Sequence, residues 1–239
     1  MGFVDLHSHV LPGIDDGSRT LSESLDMIKL LGQVGFDTVC ATPHQKQHAF
    51  VPSREAIDRA HAEVAAALPP GSPSLLLAAE NMWDELFLER SQSGAQPAYT
   101  GGRAFLFELP VHMMPPRVEE RLFSLRRGPG RMLPVMAHPE RYPSLWEDRD
   151  RVVALRAQAA LVVDLGALDG AHGTKQCKAA RFMVEEGLAH GAASDCHQPS
   201  DVRQAGAGIA WIRKRLGEAA VRRLLADGPR QILNGELPD

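Results

Sequence analysis

Phe3-Val4-Asp5-Leu6-His7-Ser8-His9-Val10-Leu11-Pro12-Gly13-Ile14-Asp15-Asp16-Gly17-Ser18 opens the chain on a short apolar run that ends in histidines and acids. An apolar run of this length, closed by turn residues, reads as a buried strand. Side chains alternate across an extended segment, so His7 and His9 share one side and can both reach one ion. Asp15-Asp16-Gly17 taken alone is simply a good turn sequence. No fold needs such a polar cluster at a strand end. The rest of the chain must show what meets it.

Similar runs recur outward from this one: Thr38 to Ala41, Leu75 to Ala79, Ala104 to Phe107, Leu133 to Ala137, Ala160 to Leu165, and the weaker Gly191 to Ala193. Most show little alternation, as parallel strands covered on both faces do. Helix-like stretches lie between them. Ser22 to Val34 carries Leu25, Ile28, Leu31 and Val34 on one face. Ser53 to Leu68 starts on a capping serine and lines up Ala56, Ile57, Ala60, Val64 and Leu68. Later helices are expected over Arg117–Arg127, Trp146–Ala157, Lys175–Ala189, Ser200–Leu216 and Glu218–Ala226. Strand–helix alternation implies a parallel sheet. With Phe3 to Leu6 included, the run count suggests a closed or nearly closed barrel, with a doubly wound open sheet as the alternative. Pro69-Pro70-Gly71-Ser72-Pro73 and Gly128-Pro129-Gly130 are turn-rich connectors inside one domain spanning 1–239, not linkers between two. Val111 to Pro116 reads as a plain loop with a buried methionine pair, with a rim for a peptide as the alternative.

The residues just past each run share one chemistry. His7, His9 and Asp16 follow the first, His44 the second, Glu80 the third and Glu108 the fourth. His138 follows the fifth, while Asp195 and His197 follow the seventh. In a parallel barrel all strand C-termini face one rim, where sites are built. Each residue alone has an ordinary structural reading, such as a hydrogen-bonded histidine or a helix cap. Together they form a histidine–carboxylate set without thiolate, which suits Mn, Fe or Zn chemistry and not a structural zinc site. His48, His61, His112, His172 and His190 stand outside this pattern and are expected to be structural.

Bulk properties narrow the function classes. The 239 residues carry 44% hydrophobic content and a net charge of −4 with both signs interspersed. That balance speaks against sequence-independent binding to nucleic acid. The odd count of three cysteines, with no close pairing, suits a reducing compartment. No signal peptide and no run of about eighteen apolar residues is present, so no membrane insertion is expected and the cytoplasm is the default location. Cys196, with Arg203 beyond it, does not match a cysteine-phosphatase loop. Val202 occupies the arginine position of such a loop, and no glycine-rich cradle lies between.

The pattern His7-Ser8-His9, His44, Glu80, His138 and Asp195-x-His197 resembles the PHP (polymerase and histidinol phosphatase) superfamily. Within it, Leu11-Pro12-Gly13-Ile14-Asp15-Asp16-Gly17 resembles the bacterial capsular-polysaccharide type of protein-tyrosine phosphatase. The resemblance implies a distorted (β/α)7 barrel (PHP fold) with three divalent metal ions, manganese in the first place and iron or zinc otherwise. It assigns His7, His9, Glu80 and Asp195 to one ion. Glu80 as a bridge, Glu108 and His138 go to a second, and Asp16, His44 and His197 to a third. Arg141, in His138-Pro139-Glu140-Arg141-Tyr142, matches a phosphate-binding arginine. Arg203 is the nearest candidate for a second one, at a spacing shifted by about one residue. His44 joins Arg141 and Arg203 among the residues implied to be catalytic.

The implied activity is hydrolysis of phosphotyrosine in a protein, opposing a bacterial tyrosine autokinase in capsular or exopolysaccharide regulation. Clustered divalent ions suit this, since they neutralise phosphate oxygens and lower the pKa of a bound water. The alternative is a related phosphoesterase acting on histidinol phosphate or another small monoester. A metal-dependent nuclease is disfavoured by the acidic balance. An inactive regulatory module would lack ligands, and none is missing.

Overall fold

The computed structural model describes residues 2–128, 130–146 and 148–239. Pro129 of the expected Gly128–Gly130 connector and Glu147 of the expected Trp146–Ala157 helix lie outside the described residues. Runs of Val, Leu, Phe and Ala with no polar face become short strands, and every pairing of named strands is parallel. They are β1 (Phe3–Ser8), β2 (Phe36–Ala41), β3 (His44–Gln45), β4 (Ser74–Leu77), β5 (Glu80–Met82), β6 (Ala104–Glu108), β7 (Leu133–Ala137), β8 (Ala160–Asp164) and β9 (Gly191–Ala193). Helices fill the crossovers, as a parallel α/β fold requires.

The expected barrel is corrected at this point. The strands form two sheets, β1-β2-β4 and β3-β5-β6-β7-β8-β9, not one closed ladder. The second and third expected strands are each followed by a further short strand that the apolar runs did not indicate, β3 and β5. Pro43 cannot donate a backbone hydrogen bond, and the chain breaks there between β2 and β3. Ala78-Ala79, expected as the end of the third strand, instead makes the matching break between β4 and β5. Single bonds tie the two sheets where β1 meets the end of β9: Asp195 N to His7 O (2.9 Å) and His9 N to Cys196 O (2.9 Å).

Alternation along the strands sorts the core into two clusters. Val4, Leu6, Leu106, Val135 and Val162 pack on the inner side, below the histidines. Val39, Phe105, Phe107, Met136 and Leu161 pack outward against helices such as Leu21–Gln33 and Thr174–Glu185. Both faces are therefore buried, which is why the runs lack a polar register.

The helix starting after Ser53 spans Arg54–Ala67, and the Ser53 hydroxyl accepts from Ala56 N as expected of a cap. The region expected as Trp146–Ala157 holds two short helices, Pro143–Trp146 and Arg149–Arg156. Glu85–Ser93 and Leu165–Asp169 are helices the sequence pattern did not indicate; each is nucleated by an aspartate cap, Asp84 and Asp164. Met113 is 65% exposed, so the loop after β6 holds no buried methionine pair. No helix among the described residues is long and apolar enough to cross a membrane, and Cys40, Cys177 and Cys196 are all free.

A buried carboxylate stitches the first strand to the end of the last. Asp5 is fully buried and accepts from Ser194 N (2.9 Å) and from the Ser194 hydroxyl (2.5 Å). Burial pushes its carboxyl up to about 6, against the pull of those bonds. Asp5→Ala leaves Ser194 N without its acceptor and is expected to lose about 1–3 kcal/mol. At roughly 2–4 °C per kcal/mol for a chain of this size, thermal unfolding reads the loss directly. Asp5→Asn should lose less, because an amide oxygen still accepts.

His190 gives a pH signature. It is buried beside β9, and its Nδ1 accepts from Leu161 N at 2.9 Å, which requires a neutral acceptor. Burial, reinforced by Arg156, Arg223 and Arg126, pushes its pKa down to about 3. The folded value lies below the unfolded one, about 6.5, so its contribution is complete above that pH and lost as pH falls toward 3. The wild type is expected to lose about 2–3 kcal/mol more than His190→Asn between pH 6.5 and pH 4.5. Denaturant midpoints at the two pH values check this.

Candidate metal centre

Strand ends deliver the expected side chains to one place. His7 lies in β1, His44 opens β3, Glu80 opens β5, and Glu108 closes β6. His138 and Asp195 follow β7 and β9 in the left-handed backbone region, with φ of 33° and 46°. Such a conformation is costly for residues with a Cβ, and it collects at sites where surrounding structure holds it.

Glu80 is the hub. Its Oε1 lies 2.9 Å from His138 Nε2, and its Oε2 lies 2.9 Å from His44 Nδ1, 3.3 Å from His7 Nε2 and 3.5 Å from His9 Nε2. Asp195 Oδ1 approaches His7 Nε2 at 3.2 Å and His9 Nε2 at 3.5 Å. Glu108 Oε1 lies 3.4 Å from His44 Nδ1. Asp16 Oδ1 lies 3.4 Å from His44 Nε2 and 3.6 Å from His197 Nε2. Four overlapping groups have ligand atoms close enough for one ion each: His9/Asp16/His44/His197, His7/His9/Asp195, His7/Glu80/His138 and His44/Glu80/Glu108.

Two features favour ions over a plain polar network. First, His44 Nδ1, Glu80 Oε2, Glu108 Oε1 and Asp195 Oδ1 are buried without a hydrogen-bond partner, although oppositely charged neighbours are close. Buried polar atoms are rarely left so, and cations held by the groups above would satisfy all four. Second, the far ring nitrogens are already engaged. His9 Nδ1 pairs with Asp15 Oδ2 (2.8 Å), His138 Nδ1 faces the Tyr142 hydroxyl (3.3 Å), and His197 Nδ1 meets Asp195 O (2.9 Å). This is how metal-ligating histidines are oriented, with Nε2 left to converge.

The charges are tightly balanced. Burial disfavours ionised Glu80, but His7, His138 and His44 outweigh it and hold the carboxyl well below its usual range. Burial, then the Glu80 charge, pushes Glu108 up to about 7. Burial and Arg141 lower His138, while Glu80 and Asp195 raise His7 despite its burial. A site that must hold cations needs its imidazoles neutral, so loading the centre releases protons.

The family described as capsular polysaccharide synthesis, CpsB/CapC, matches residues 3–234. The chain belongs to this CpsB/CapC family. Tyrosine-protein phosphatase CpsB of Streptococcus pneumoniae is 27% identical over 254 residues, covering 98% of this chain and 99% of that protein. Tyrosine-protein phosphatase YwqE of Bacillus subtilis (strain 168) is 29% identical over 204 residues, covering 81% of this chain and 77% of that protein. Crystal structures described as YwqE and CpsB, "unique metal-dependent tyrosine phosphatases", supply a fold match. Its TM-score is 0.82 at 23% identity, over 99% of this chain and 96% of that one.

In this CpsB/CapC chain, Arg141 follows His138 in a short helical turn. Its Nη2 donates to Asp195 Oδ2 (2.5 Å) and Asp164 Oδ2 (3.2 Å). It lines a cavity of about 130 Å³ beside the centre, together with Asp195 and His197. Arg203 does not join it. That residue is exposed near the start of the helix Asp201–Leu216, and its neighbours Asp201 and Gln204 line the cavity instead. Cys196 is fully buried and burial pushes its thiol up, consistent with no nucleophilic role.

Sequence reasoning missed the supporting residues. Asp15 holds His9, accepts from His44 N (3.0 Å), and is held down to about 2, its burial outweighed by the His9 bond. Its neighbour Asp16 drew the attention, although the doubled acid was itself a signal. Tyr142, Asp164 and His172 carried no signal at all, because their partners lie far along the chain.

Ions that bind only the folded state stabilise it by mass action, by about 2.7 kcal/mol at a hundredfold excess over the dissociation constant. Excess Mn²⁺ is expected to raise the unfolding midpoint of chelator-stripped protein by about 5–10 °C. Glu80→Ala should abolish most of that increment. Differential scanning calorimetry with and without EDTA checks both.

Proposed function

We propose that this chain is a metal-dependent protein-tyrosine phosphatase. The carrying observation is the gathering of His7, His9, Asp16, His44, Glu80, Glu108, His138, Asp195 and His197 around buried, unpartnered carboxylate oxygens, with Arg141 alongside. The names of the CpsB and YwqE relatives support the substrate class. In this reading His7, His9, Glu80 and Asp195 hold one ion, Glu80, Glu108 and His138 a second, and Asp16, His44 and His197 a third.

Divalent ions, manganese in this reading and iron or zinc otherwise, would neutralise phosphate oxygens and bring a water's pKa toward neutrality. The chain's own residues do the rest. Arg141 presents a planar fork of donors matched to phosphate oxygens, and Asp164 and Asp195 fix its orientation. Asp15 and Tyr142 hold His9 and His138 in place. A tyrosinate leaves readily because its phenol has a pKa near 10. Exposed Val111 and Met113, in the loop after Glu108, offer apolar contact suited to a protein substrate. That substrate, in this reading, is a tyrosine autokinase of capsule or exopolysaccharide regulation, met in the cytoplasm.

Metal-stripped protein is expected to be inactive and to recover with Mn²⁺. Activity on a phosphotyrosine peptide should then exceed that on a phosphoserine peptide or histidinol phosphate by tenfold or more. A preference for histidinol phosphate would sink the substrate assignment and leave the metal site standing. Arg141→Ala should cost about a hundredfold in kcat/KM, the usual loss for one preorganised donor to developing charge.

A further inference from the structure

The cavity beside the metal centre is lined by a histidine that the family pattern does not assign. His172 lines it with Arg141, and its Nε2 lies 2.5 Å from Asp164 Oδ2. The same oxygen takes Arg141 Nη2 at 3.2 Å. Asp164 is firmly held: its side chain is 2% exposed, Oδ1 accepts from Gly166 N (2.7 Å), and its own N donates to Glu140 Oε1 (3.0 Å). One buried carboxylate thus holds both an arginine and a histidine at one small cavity. Gly166 leaves room for this, since a Cβ there would come within 3.2 Å of Asp164 Oδ1 and 3.7 Å of His172 Nε2.

His172 has an edge to spare. Its side chain is 37% exposed, and among the described residues its Nδ1 makes no hydrogen bond. The bond to Asp164 raises its pKa, which favours an imidazolium with two N–H donors. Arg203, the residue expected to be the second phosphate cation, is exposed and outside the cavity lining.

We propose that His172, held by Asp164, is the second cationic donor to the phosphoryl oxygens and fills the role expected of Arg203. This rests on the phosphatase reading above. It assigns His172 to substrate binding and Asp164 to positioning both His172 and Arg141. The contact is one N–H of His172 to a non-bridging phosphate oxygen, opposite the Arg141 fork.

The test uses inorganic phosphate as the probe, measured by titration calorimetry on Mn²⁺-loaded protein, so it needs no turnover. His172→Ala removes both the charge and the Asp164 contact. His172→Gln keeps a donor for Asp164 but no charge, and His172→Arg keeps both. Phosphate affinity is expected to fall about tenfold in the Ala and Gln variants, as for loss of one charged hydrogen bond, and to return within about threefold in the Arg variant. KM for a phosphotyrosine peptide should follow the same order, with the loss falling mainly on KM. Unchanged phosphate affinity in His172→Ala, or recovery in His172→Gln, would show a loop strap only and overturn the proposal. A wild type that binds phosphate but turns over no phosphotyrosine would instead defeat the phosphatase reading.

Discussion

The Glu80 carboxylate, taken out of water among four imidazoles, is the constraint on which the rest of the site depends. An isolated buried carboxylate costs several kcal/mol, so it must be matched by cations. His138 meets one oxygen, while His44 and His7 crowd the other. Those partners come from β1, β3 and the end of β7, elements that share no local contact in sequence. The fold therefore does for Glu80 what no segment could do alone. The price is two residues, His138 and Asp195, with backbones in the left-handed region.

The same constraint explains the breaks in the sheets. A straight second strand would carry His44 along its pleat, and a straight third strand would do the same for Glu80. The breaks at Thr42-Pro43 and Ala78-Ala79 reset both at the same level, so that His44 and Glu80 pair in register in β3 and β5. Below them the inner apolar cluster is buried and closely packed, and it fixes the height of the polar layer. Asp5 and Ser194 then tie the first and last strands beneath His7 and Asp195.

Much of this was legible in the sequence, for a physical reason. Parallel strands buried on both faces announce themselves as unbroken apolar runs, and their C-terminal ends share a rim. Histidines and acids past the runs could therefore be expected together before any coordinates. The split of the strands into two sheets was not legible. The run count points to one barrel, and a proline that interrupts pairing leaves no trace in hydrophobic periodicity. Arg203 shows the same limit. One residue of helical rotation separates an exposed arginine from Gln204 in the cavity lining. His172 and Asp164 were invisible because their meaning lies only in a contact between a loop and a strand end.

The most direct check of the metal-centre account is an anomalous difference map from crystals grown with Mn²⁺ and recorded at the manganese edge. The account predicts peaks bonded to Glu80 and Asp195, and a further peak among Asp16, His44 and His197. Manganese confined to exposed surface carboxylates, with a clean map between His7, Glu80 and His138, would contradict it.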